Sequence, residues 1–173
     1  MRSLYHQSPR DIAVRLVTAV GVSLELLHQL HGLHARQWDL ENATRDPAAS
    51  ADQVARAKAE IDASNARRHQ LIDAIDTATS YPPPLRGARY YSETIGEMCD
   101  RLLILDLKVA ALERRSPSID SEETPTVQGI KQVCAHLSVA AAQLLGDIAA
   151  GQAAVPPRAG VKVYHVPAGD GAR

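Results

Sequence analysis

A chain of 173 residues, 45% of them hydrophobic, can bury a core and suits one domain better than two, while a net charge of −1 leaves no electrostatic footprint for nucleic acid or an anionic membrane. Aromatic residues make up only 3% and phenylalanine is absent, which favours helix over sheet. The longest apolar runs, such as Leu102 to Leu105, fall far short of the roughly 20 residues that span a bilayer, and Asp11 and Arg15 interrupt what would be the apolar part of a signal peptide, so a cytoplasmic location is expected.

After a loose lead-in over Met1 to Pro9, the pattern turns helical at Arg10. Leu16, Val20, Leu27 and Leu30 stack on one side, and the period carries past Gly32 to the region of Asp46-Pro47, where proline disfavours helix in the residue before it. One long helix is expected there. Its apolar stripe continues as His34, Trp38, Glu41 and Arg45, so a greasy face becomes polar. Two readings compete for that stripe: a solvent-exposed end carrying an ordinary Glu41–Arg45 pair, or one wall of a pocket. Trp38, the single tryptophan, favours cover over this face. His28, His31 and His34 look like metal ligands in the linear sequence, but on a helix they fan out over about 120° and are weak candidates, so no metal site is assigned.

Ser50 offers an N-cap for a second helix running to about Thr79, with Asp52 and Gln53 in its first turn. Val54, Ile61, Ile72 and Ile75 mark its inward face, Asp62, Asn65 and Asp76 lie on the strip beside it, and Arg68 falls on the apolar side. Tyr81-Pro82-Pro83-Pro84 ends that helix. The connector that follows carries Arg86, Arg89, Tyr90 and Tyr91, which suit either a lid or a plain linker.

The stretch from Tyr90 to Arg115 is the expected organising helix. Met98, Leu102, Leu105, Val109 and Leu112 form one stripe, and Leu103 and Leu107 lie well away from it, so the helix is apolar most of the way round. Glu93, Glu97, Asp100, Arg101 and Lys108 are written into the same helix. Buried charges are costly unless they pair or meet a ligand, so this helix is expected to face partner side chains or a bound molecule. After a polar loop over Ser116 to Pro125, a last helix from about Thr126 to Ala150 turns Val133, Leu137, Leu144 and Ile148 inward and stops at Gly151. Val161 to Val166 alternate, which suits a short strand, a strap on the bundle or an arm reaching a neighbouring subunit. Cys99 and Cys134 lie in helical patterns, where small buried hydrophobes are the commoner reading and a catalytic thiol the other.

The motifs resemble a bacterial family, domain of unknown function 4254. The likeness rests on Trp38-Asp39-Leu40-Glu41-Asn42-Ala43-Thr44-Arg45, on Lys58 with Ile61-Asp62, Asn65 and Arg68, and on Ser92-Glu93-Thr94-Ile95-Gly96 leading into Asp100-Arg101-Leu102 and Leu107-Lys108. It covers roughly Leu24 to Glu113 and implies a helical fold with a shared polar site in a family often encoded among sugar-transfer or secondary-metabolite genes. The family pattern tends to place an acid at Asn42, a proline at Ile95, a serine at Leu103 and an asparagine near His34.

The expectation is therefore an all-α fold: a bundle of four main helices over residues 1–152, an extended tail over 153–173, and association into a homodimer that covers the remaining apolar faces. Two functions remain open. In one, a charged pocket binds an anionic small molecule through Trp38, Arg45, Arg68, Asp100, Arg101 and Lys108, with Glu41, Glu93 or Asp62 moving a proton in isomerase- or lyase-type chemistry. In the other, the charges satisfy one another and the protein is a non-catalytic partner in a biosynthetic cluster. No cofactor fingerprint is present.

Overall fold

Serine hydroxyls start three helices. Ser8 accepts from the Asp11 N–H, Ser23 from the Glu25 N–H and Ser50 from the Gln53 N–H, each satisfying a donor that the first turn leaves without a helical partner. In the computed structural model, which describes residues 8–79, 81–115 and 125–156, these caps open α1 (Pro9–Ala19), α2 (Leu24–Thr44) and α3 (Ala51–Ala78). Two further helices, α4 (Ile95–Arg115) and α5 (Pro125–Ala149), follow, with a minimal strand pair, β1 (Arg89–Tyr90) and β2 (Ala153–Ala154). The described residues thus hold five helices, not four main ones.

The extra helix comes from a break where one long helix was expected. Gly21, at φ +74°, donates to Thr18 O at 3.2 Å while Val22 donates to Val17 O at 2.8 Å, and this left-handed closure ends α1. Ser23 then starts α2. Leu16 and Leu27 still reach one core, but from two helices.

Most other boundaries follow the sequence closely, but α4 begins at Ile95, so Tyr90 and Glu93, which the expected helix spanned, lie before it, with Tyr90 in β1. Ser50 and Gln53 form a reciprocal capping box at the start of α3. At α4, Thr94 Oγ1 accepts from the Glu97 N–H at 3.1 Å and Glu97 Oε2 accepts from the Thr94 N–H at 3.0 Å. Gly151, at φ +68°, closes α5 as Gly21 closes α1.

Helix α4 packs against every other helix. Contacts from Asp76 to Gly96 and from Arg68 to Asp100 set α3 antiparallel to it, since residue numbers fall on one as they rise on the other. The crossing is tight. A Cβ on Gly96 would lie 2.7 Å from Ile72 O and 2.9 Å from Asp76 Oδ1, while the Gly96 N–H donates to that same carboxylate at 2.7 Å.

The core is gathered at one end. Leu16, Leu27, Leu30, Ile75, Ile95, Leu102, Leu103 and Leu144 are all fully buried, each worth about 1.5–3 kcal/mol of transfer free energy. Between His34 and Ser64, where α2 turns back into α3, Ala57 is the one buried residue. That far end is held by α2–α3 links such as Arg36 Nη2 to Glu60 Oε2 at 2.6 Å and Gln37 Nε2 to Asn65 Oδ1 at 2.9 Å.

Val133, expected to face inward, is 43% exposed, because α5 covers α4 through Leu137, Ala141, Leu144 and Ile148 instead. The proline-stiffened connector is strapped to the C-terminal end of α5: Arg89 N–H donates to Gln152 O, and the Tyr91 hydroxyl to Asp147 Oδ2 at 2.7 Å. β1 and β2 pair in parallel there. The expected polar loop from residue 116 to 124 and the expected strand at 161–166 lie outside the described residues. No helix among the described residues is long and apolar enough to cross a membrane.

Candidate functional site

Three helices each contribute one polar side chain to a single buried point. Asp100 of α4 is only 3% exposed, and Cys99 before it and Leu103 after it in the sequence are fully buried. Arg68 of α3 grips it with two donors, Nε to Oδ1 at 2.7 Å and Nη2 to Oδ2 in a short bond. His34 of α2, 4% exposed, places Nε2 at 2.9 Å from Oδ1. A planar guanidinium matches a carboxylate in this two-point manner, which fixes orientation as well as charge.

Burial by itself would raise the Asp100 pKa, but the hydrogen bonds from Arg68 and His34, with their charges, outweigh it and hold the carboxyl below the usual carboxylate range. Asp100 is therefore ionised at neutral pH. An ionised carboxylate can only accept, so His34 Nε2 is the donor in that contact.

The group is not sealed inside the core. His34 and Arg68 also line a cavity of about 200 Å³ between α2 and α4. Successive turns of α2 bring Gln37, Trp38, Glu41 and Arg45 to its wall, and Ile104 and Leu107 of α4 face them. The polar stripe of α2 thus forms a wall, with Trp38 half-buried in it.

The expected site residues separate into distinct environments. Trp38, Glu41, Arg45 and Arg68 line this cavity, and Asp100 stands behind it. Arg45 and Glu41 pair with each other at 2.9 Å across one helical turn, near the mouth. Glu93 and Arg101 form an ion pair at the start of α4, with Arg101 about half exposed, and neither lines the cavity. Asp62 is exposed on α3. Lys108 is exposed and lines a neighbouring hollow. Of the charges clustered along α4, Asp100 is the one driven into the interior. The rest sit toward solvent because the apolar residues of that helix occupy its packed sides.

The three clustered histidines part company. His28 is exposed and His34 binds Asp100. His31 Nε2 lies 3.6 Å from Asp106 Oδ2, beyond hydrogen-bond reach, and burial together with the charge of Arg10 lowers its pKa. Among the described residues no group of three His, Cys, Asp or Glu side chains is placed to hold a metal ion. Both cysteines are free thiols. Cys99 is fully buried against the α1 backbone, where loss of solvent pushes its pKa up and keeps the thiol protonated.

Sequence reasoning passed over His34 as the partner of Asp100, and Gln37 altogether. The signal for His34 was its place at the head of the polar stripe, directly before Trp38 on the same face.

These features define a class: an all-helical protein whose central helix presents one buried carboxylate to an arginine and a histidine beside a cavity. The chain belongs to the family described as "Protein of unknown function (DUF4254)", whose family model matches residues 24–156. The match runs through α5 to the strand pair and leaves out α1. Neither the curated proteins nor the solved structures include a match to this chain.

Proposed function

We propose that the cavity between α2 and α4 binds a small anionic molecule. The observation that carries this reading is the position of the Asp100–Arg68–His34 group on a cavity wall. A buried ion pair that served only to join helices would be sealed by apolar neighbours, whereas here an oriented guanidinium edge and an imidazole meet an open space walled by a tryptophan. Fixing these groups in advance lowers the cost of ordering them around a ligand.

Glu41 is the carboxylate best placed to move a proton, since Glu93 and Asp62 do not line the cavity. Acid–base chemistry of an isomerase or lyase type would use Glu41, with the His34 ring beside it on the cavity wall. A second reading has its own observation: Arg45, Arg68 and Arg101 each already hold a carboxylate of this chain. In that case the charges fix helix register, and the protein is a non-catalytic scaffold. Under either reading the proposed setting is a bacterial cytoplasm and the proposed assembly a homodimer that covers apolar surface such as Val133 and Val139. The division into a 1–152 body and a 153–173 tail is also part of the proposal.

The test is thermal unfolding against sugar phosphates, nucleotides, carboxylic acids and divalent metals, in wild type and Trp38→Leu. One ligand class should raise the wild-type midpoint and leave the variant unmoved, because only binding to the native state stabilises it. A wild type that responds to none of them supports the scaffold.

A further inference from the structure

The cavity at His34 and Arg68 is too small to be a whole binding site. At about 200 Å³ it falls below the roughly 300–1,000 Å³ of sites that enclose small molecules. It does not stand alone. A second hollow of about 660 Å³ shares Trp38, Asn42 and Arg45 with it, so these three side chains form a partition between an inner and an outer chamber.

The chambers differ in charge. In the inner one Arg68 is matched by Asp100 and Arg45 by Glu41. The outer one adds Lys108 and Arg114, for which the described residues supply no ion-pair partner, and no carboxylate among them lines it. Beside these cations and the Asn42 amide its surface is apolar, formed by Ala111, Leu112, Ile130 and the Trp38 ring. Among the described residues, unbalanced positive charge therefore lies in the outer chamber and balanced polar groups in the inner one.

We infer that the ligand is a phosphate or diphosphate ester of a small polar molecule. Its phosphate sits among Lys108, Arg114 and Arg45, and its uncharged polar end passes Trp38 to reach His34 and Arg68. This rests on the ligand reading above. Several cations approaching from different helices suit a group with two or more charges spread over tetrahedral oxygens, which accept from many directions; a lone carboxylate offers one plane. The partition residue Trp38 also has an apolar ring for the organic part to lie against.

Trp38 is the single tryptophan beside five tyrosines, so its fluorescence, excited selectively, reports on the partition. The experiment is a titration of the full chain with inorganic pyrophosphate at constant ionic strength, in wild type, in Lys108→Ala/Arg114→Ala and in Arg56→Ala. Arg56 is an exposed arginine on α3 that lines neither chamber. Lys108 and Arg114 are exposed, so the double variant should fold, and circular dichroism checks that it does.

A saturable change in wild type and Arg56→Ala is expected, with affinity weaker by about tenfold or more in the double variant. The proposal is overturned by an absent wild-type response, by an equal response to sulfate, or by equal affinity in the double variant. The two readings fail separately. A carboxylic acid or nucleoside that stabilises the protein regardless of Lys108 and Arg114 keeps the inner site and removes the outer one. Pyrophosphate binding with no stabilising organic ligand does the reverse.

Discussion

The two ends of the molecule are built on different terms. At one end α1, the start of α2, the end of α3, the first half of α4 and the end of α5 pack side chains that are fully buried. At the other, α2 turns into α3 with Ala57 as the one buried residue between His34 and Ser64, and the space beside it is left hollow. Asp100 stands at the boundary. The comparison teaches that packing supplies stability at one end and so leaves the other free to hold polar side chains around open space.

The sharpest way to break that division is at the boundary itself. Asp100→Asn should cost about 3 kcal/mol at pH 7, because it leaves the Arg68 guanidinium partly buried without its counter-charge. Urea unfolding measures this, and the loss should shrink when Arg68→Met is added, as each partner is costly mainly without the other. The wild-type pH profile carries the same signature. The Asp100 pKa is lower in the folded chain than in the unfolded one, so its contribution is fully present above about pH 4 and disappears as pH falls through the lower native value. Asp100→Asn should lack that acid-side loss. A variant as stable as wild type would mean that the boundary is not held there.

Within the packed end, Gly96→Ala should cost about 1–3 kcal/mol, since the new methyl meets the backbone oxygen of Ile72 and helices must shift to admit it. The thermal midpoint reads this directly, and an unchanged midpoint would show that α3 and α4 can slide. The smallest effect is expected at Arg101. Arg101→Ala removes a half-exposed ion pair and should change stability by less than about 1 kcal/mol. A larger loss in the same assay would reveal that this face of α4 is covered in the assembled protein.

Helix boundaries were legible wherever a local chemical signal marks them: Ser50 with Gln53, the proline run after Tyr81, Gly151. The break at Gly21 was hidden because Leu16, Val20, Leu27 and Leu30 keep helical phase across it, although Ser23 before Leu24-Glu25 was a usable start signal. Charge placement was harder. Periodicity sets Asp100 beside Arg101 on one helix, yet one is buried and the other half exposed, since the difference depends on Arg68 and His34 arriving from α3 and α2. Pairing between helices depends on their relative register, which no single helix encodes. The polar stripe of α2 was visible, and what it faced was not.

The small parallel pair between β1 and β2 closes a long loop of chain. Arg36 and Glu60 are 24 residues apart, so the α2–α3 hairpin closes over a short length of chain. Tyr91 and Asp147, which fasten the connector to α5, are 56 apart. Closing a longer loop costs more entropy, here by less than about 1 kcal/mol, so the clasp starts from a slightly larger deficit than the hairpin. The clasp therefore joins segments that α4 and α5 already bring together through their own packing, which shortens the loop that it has to close.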